Sequence, residues 1–167
     1  MKKILLVTLV TLLMFSCGGK KEKEVENDVV VDNYSIAIDA VYEKNDSLLF
    51  IYAQGGSLKF EKVKGMAVKG SPLVQRLVFN FPAGDKVENV GVTMSQNKDQ
   101  KTLVVKAITI KNNNKEIIGT KDNYLTYFQA DEGFSWDVKE TRYNLNHDKK
   151  YPPSLMGSEV LKDALSK

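Results

Sequence analysis

The sequence predicts an all-β chain: an antiparallel β-sandwich, jelly-roll-like, of about eight strands with one or two short helices, one of them C-terminal. Three observations lead there. From Tyr34 onward the apolar residues recur mainly with a period of two, as in a strand with one face buried. Clusters of Gly, Pro, Asn, Asp and Ser interrupt that pattern every 8 to 14 residues or so. A 3.6-residue period is confined to two short stretches late in the chain.

The N-terminal part stands outside that pattern. Lys2 and Lys3 precede an apolar run, residues 4–15, broken only by Thr8 and Thr11, and Ser16-Cys17-Gly18-Gly19 follows. The run is shorter than the about 20 residues that span a bilayer and has the layout of a secretory signal peptide, residues 1–16. Ser16-Cys17 at its end resembles the lipobox of bacterial lipoproteins, and Met14 and Phe15 before it resemble the looser lipoboxes of the Bacteroidetes. The resemblance implies cleavage before Cys17, a diacylglyceryl group on its thiol and a palmitate-like chain on the new N-terminus. Two or three such chains, at about 0.8 kcal/mol per buried methylene, make a lasting membrane anchor. The expected location is the cell envelope, lipid-anchored at the outer membrane. Gly18-Gly19-Lys20-Lys21 does not resemble the acidic surface-export signals of Bacteroidetes lipoproteins, which leans towards the periplasmic face and leaves the surface face open. Residues 17–31, rich in Lys, Glu, Asp, Gly and Asn, bury too little apolar surface to offset chain entropy and read as a flexible tether. Residues 32–167 are then a single domain.

Within it, Tyr34, Ile36, Ile38, Ala40 and Tyr42 alternate with Ser35, Ala37, Asp39 and Glu43, with Val41 as the exception. Residues 47–53 form a continuous apolar run suited to a central strand, and Gln54-Gly55-Gly56-Ser57 turns it back. Leu58, Phe60 and Val63 keep strand spacing, and residues 65–72 carry three breakers. Leu77, Phe79 and Phe81 face one way, with Val78 and Asn80 opposite. Residues 87–94, 102–110 and 115–119 complete the pattern, separated by a polar loop at 95–101 and by Asn112-Asn113-Asn114. Residues 122–130 read as one or two helical turns with Leu125 and Phe128 packed across a sheet edge. Pro152-Pro153 end any strand before them, Ser158 caps a last helix, and Val160, Leu161, Ala164 and Leu165 form its apolar stripe.

Counts of single residue types exclude several chemistries. Of 24 Lys and Arg, Lys2 and Lys3 fall in the leader, leaving 22 against 21 acidic residues, so no electrostatic case exists for nucleic acid. One cysteine and one histidine, Cys17 and His147, exclude an internal disulfide and Cys/His metal sites, and no cofactor motif is present. His147 lies in a polar stretch and reads as exposed and without function. No Gly-x-Ser-x-Gly elbow presents a nucleophile. Asp131, Glu132 and Asp137 are the one carboxylate cluster beside aromatics, too thin a basis for a glycosidase, so the chain reads as no enzyme. A structural calcium on loop oxygens has no motif behind it.

Residues 133–143 alone have binding character. Sugar sites stack a CH face on Trp or Tyr and hydrogen-bond hydroxyls through Asp or Arg, and Trp136, Tyr143, Asp137 and Arg142 supply those types. The alternation of Phe134, Trp136 and Val138 nevertheless favours a core position for Trp136 over a sugar platform.

The run from residue 62 to 117, with its Lys-Gly turn, a strand ending in a Pro-Gly turn and two long strands, resembles small carbohydrate-binding-module-like β-sandwich domains of bacterial envelope proteins. That resemblance implies the fold and carries no ligand-binding residue. Two functions follow as expectations: a non-catalytic binding module, glycan being the candidate ligand, or a structural or assembly lipoprotein docked to an envelope protein.

Overall fold

Two antiparallel sheets face each other across one core in the computed structural model, which describes residues 33–167. The expected leader (1–16), the tether (17–31) and Cys17 lie outside the described residues. The described residues form twelve strands: β1 (Tyr34–Tyr42), β2 (Asp46–Gln54), β3 (Ser57–Leu58), β4 (Lys64–Val68), β5 (Ser71–Asn80), β6 (Asn89–Thr93), β7 (Thr102–Asn112), β8 (Lys115–Thr120), β9 (Phe128–Ala130), β10 (Phe134–Asp137), β11 (Arg142–Leu145) and β12 (Ser154–Gly157). Helix α1 is Tyr124–Tyr127 and α2 is Glu159–Ser166. The count exceeds eight because the chain adds strands of two to four residues at the sheet margins, where neither length nor alternation marks them in sequence.

The first sheet runs β10-β11-β7-β1-β5, with β8 on the part of β7 that β11 leaves free; the second runs β3-β2-β6-β12-β9, with β4 beside β3 on β2. After β1 the chain changes sheet through residues 43–45 into β2, and after β4 it changes back through 69–70 into β5. Since β1 pairs β5 and β2 pairs β4, these four strands are one long hairpin folded over both sheets. Two backbones cross closely at the fold. A Cβ on Gly70 would lie 2.7 Å from the Lys44 carbonyl carbon and 2.8 Å from the Glu43 oxygen, so only glycine fits there. Its N–H donates to Asn45 Oδ1 at 2.8 Å. At the hairpin tip, Gly55 and Gly56 take φ of 63° and 77° between the paired Gln54 and Ser57, the two-residue turn that matches strand twist.

The core follows from the alternation. Tyr34, Ile36, Ile38, Ala40 and Tyr42 of β1 are buried against Leu48, Phe50 and Tyr52 of β2, and Phe50 stacks on Phe79 of β5 at 4.5 Å. Along β7 the buried phase changes from Leu103 and Val105 to Ile108 and Ile110, because a bulge against β1 inserts exposed Lys106. Ser158 caps α2 by accepting from Leu161 N at 3.3 Å, and Leu161 and Leu165 are buried while Val160 lies outside the stripe. At α1 the buried pair is Tyr124 and Phe128, the residue that follows the helix and opens β9, and not Leu125 with Phe128; Leu125 is exposed.

A polar network pins the turn that follows β3. Lys62 Nζ donates to Asp85 at 2.9 Å and to Gln54 Oε1 at 3.0 Å, and the Tyr52 hydroxyl donates to Asp85 Oδ2. The two donors, Tyr52 first and Lys62 second, hold the Asp85 carboxyl below the usual carboxylate range.

Candidate functional site

The binding segment predicted at 133–143 folds as a hairpin. Trp136 pairs with Tyr143 and Asp137 with Arg142, with Thr141 at φ 52° in the turn between them. Tyr143 also pairs with Leu103, whose side chain is in the core, so alternation directs Tyr143 and Trp136 inward and sends Asp137 and Arg142 to the outer face. The four candidate residues therefore do not converge. Asp137 accepts from the Glu140 N–H at 3.1 Å and serves the turn. Arg142 is half-buried on the opposite face from the Trp136 ring.

Trp136 faces inward but is not core. β10 is the last strand of its sheet among the described residues, and Trp136 on it is 50% exposed. It rests edge-to-face on Tyr143 with centroids 4.9 Å apart, and Phe134 meets Tyr143 likewise at 5.4 Å. The Tyr143 ring is buried, and its hydroxyl meets that of Tyr124 at 2.5 Å. Burial, then the bond to Tyr143, push the Tyr124 phenol far above its ordinary range, so it stays protonated.

These rings form one wall of a groove of about 380 Å³ at the open side of the sandwich. Leu125 of α1, Ala130 of β9 and Phe134 line it, with Lys121 and Asp131 at the rim. Asp131 is committed to the fold, accepting from Gly133 N and from Ser154 N at 2.9 Å each. Lys121 is paired with Asp122. The groove thus offers an aromatic and aliphatic wall, a cation at its rim and no activated nucleophile. Such a lining suits the apolar face of a flat ligand of one or two rings.

Models of known protein families, curated proteins and solved structures contain no match to the chain.

Other cavities differ in kind. Two clefts beside α2, of about 190 and 320 Å³, share Gly56, Glu88 and Lys162 and include no aromatic ring. Glu88 there accepts from Gly56 N at 2.6 Å and Lys162 pairs with Glu159. His147 corrects the expectation of an exposed loop residue. It is half-buried, with Nε2 2.9 Å from the Gln100 carbonyl and its ring edge-on to Tyr151. Among the described residues no group of three His, Asp or Glu is placed to hold a metal ion. Lys121, Leu125 and Ala130 are the groove residues that sequence reasoning missed. The signal for Leu125 was there: it falls out of phase with Tyr124 and Phe128.

Proposed function

We propose that the chain is a lipid-anchored, non-catalytic binding protein of a bacterial cell envelope that takes a glycan in the groove at Trp136. The observation that carries the reading is the Trp136 ring, half in water beside an apolar groove and seated on a buried Tyr143. A hexose presents an axial CH face to such a ring while its hydroxyls stay solvated, and Lys121 at the rim can donate to one of them. Cys17, from its place at the end of the apolar leader, supplies the anchor through the diacylglyceryl group on its thiol and the acyl chain on its N-terminus, at the outer membrane.

A glycan array probed with the full chain in detergent tests the ligand. Binding that quenches or shifts Trp136 fluorescence and weakens at least about tenfold in Trp136→Ala supports the reading. An array without a binder overturns it. Metabolic labelling with a palmitate analogue tests the anchor separately: incorporation lost in Cys17→Ala is expected, and absence of label sinks that half. A second reading is a structural or assembly lipoprotein docked to an envelope protein. Its support is a cross-strand row on the outer face of the first sheet, Val78, Ala37, Thr109 and Ile118, with Val78 and Ile118 half-exposed. Capture of one envelope protein by the full chain, lost when both ends of that row are made Lys, would favour it.

A further inference from the structure

The strand β5 ends the first sheet with ten residues, pairs among the described residues only with β1, and has Leu73, Val74 and Val78 exposed. The ladder shows which backbone groups are left over. Phe81 N donates to the Tyr34 carbonyl at 2.9 Å, and the register Asn80 with Ser35 through Gln75 with Ala40 continues without a shift. Antiparallel pairing alternates, so Phe79, Leu77 and Gln75 turn their N–H and C=O groups to β1, and Arg76, Val78, Asn80 and the Val74 carbonyl face solvent; before Gln75 the ladder is irregular, with Ser71 opposite Tyr42 and Leu73 N donating to Ser71 Oγ. The same alternation puts the Arg76, Val78 and Asn80 side chains on the outer face. An edge of this length with one charged side chain is a template for another strand. That charge is already balanced, since Arg76 Nη1 lies 2.8 Å from Asp39 Oδ2.

We infer that this edge pairs with the β5 edge of a second copy of the chain, antiparallel about a two-fold axis at Leu77. The sequence around the strand selects both partner and register. Leu77 lies midway between Pro72 and Pro82, which have no N–H to give. With Leu77 opposite Leu77 of the second copy, Arg76 faces Val78 and Val74 faces Asn80, in both directions. Arg76 and Val78 then exchange N–H and C=O bonds in both directions, and each Asn80 N–H meets a Val74 carbonyl. A shift of two residues one way sets Arg76 against Arg76 of the second copy, and the other sets the Val74 carbonyl against Pro82, which has no N–H to donate. The pairing opposes no like charges: each Arg76 lies beside a valine and keeps its own Asp39.

The test uses the full chain in detergent. Leu77 of the two copies would form a non-hydrogen-bonded pair with Cα atoms about 4.5 Å apart, within reach of a disulfide. Leu77→Cys is expected to give a disulfide-linked dimer under mild oxidation, above the wild-type level set by Cys17 and above Val104→Cys, a residue of β7 away from the edge. Val78→Pro and Val78→Lys are expected to weaken the dimer in sedimentation equilibrium, each by about tenfold or more. An edge proline whose N–H faces solvent leaves the β1 pairing intact, and the lysine variant repeats the test without touching the backbone. Hydrogen exchange at Arg76, Val78 and Asn80 separates the possible occupants. Protection that grows with protein concentration supports the second copy. Protection independent of concentration assigns the edge to the chain's own residues 17–32 and overturns the inference, as do an unprotected edge, Leu77→Cys folded but uncrosslinked, or a dimer that survives both Val78 variants.

Discussion

On one side of the sandwich the two sheets end in β10 and β9, strands of four and three residues, and the chain passes between them through residues 131–133. On the other side the first sheet ends in β5, ten residues long, and the chain crosses between sheets at the Gly70 corner. The short strands leave a concave side, because α1 and the Asp131 loop fill the space at the margin and the Trp136 ring stands over it. The long strand leaves a flat side with unpaired backbone. A concave margin holds a compact ligand with side chains, whereas a flat one holds another strand with main-chain hydrogen bonds.

The corner is where this difference breaks most completely. In Gly70→Val the new Cβ meets three backbone atoms within 2.7–2.9 Å, none of which can move without shifting β1 or β2. A stability loss of about 3 kcal/mol or more is expected in chemical denaturation, a large part of the total for a domain this size. The Trp136 side loses its wall more gently. Tyr124→Phe or Tyr143→Phe leaves a buried hydroxyl or ring edge without its partner, at about 1–2 kcal/mol each. The double variant should cost less than the two together, since both remove one bond, and a denaturation cycle over the four proteins reads the difference.

The same contrast explains what could be read before the structure. Long strands with one buried face announce themselves: β1 and β5 were legible as Tyr34, Ile36, Ile38 and as Leu77, Phe79, Phe81, because the core repays alternation over many residues. The Gly55-Gly56 turn and the Ser158 cap were legible as local chemistry. The phase change in β7 was present as Val105 followed by Ile108, two half-patterns one residue out of step. The strands β9, β10 and β12 carry three or four residues each, too few to set a period, and exist because neighbours in the sheet pair with them. Trp136 shows the other limit. Its phase with Phe134 correctly gives the inner face, but whether an inner face is covered depends on how far the opposite sheet extends, which no local pattern encodes. Asp137 and Arg142, adjacent to Trp136 and Tyr143 in sequence, fall on the other side of the hairpin for the opposite reason: the period of two, a local pattern, sends neighbours in a strand to opposite faces.

Acid provides the mildest test, because it acts on the β5 side and leaves the Trp136 side alone. Asp85 accepts from Tyr52, Lys62 and Gln54, and its folded-state carboxyl is held below its unfolded value by the hydroxyl and ammonium donors. A lowered carboxyl adds stability at pH above its unfolded pKa and loses it as pH falls through the folded one. Lys62 is shifted the other way, upward, chiefly by its bond to Asp85, so its contribution is present at neutral pH and is lost only as pH rises through its folded value. The network should therefore be intact from about pH 5 to pH 9 and fail first in acid, below about pH 4, where carboxylates take up protons. The groups are near solvent, so the effect is small and is best read locally. The amides of Lys62 and Val63, whose N–H groups donate to Lys59 and Phe60, should lose protection in acid, read as the observed exchange rate divided by the slower intrinsic rate there. Asp85→Asn should show the lower protection already at pH 7 and lose most of the added acid dependence. Trp136 fluorescence, reporting the opposite margin, should stay constant over the same range; a parallel change there would mean that the two sides open together and that the contrast between them does not extend to their stability.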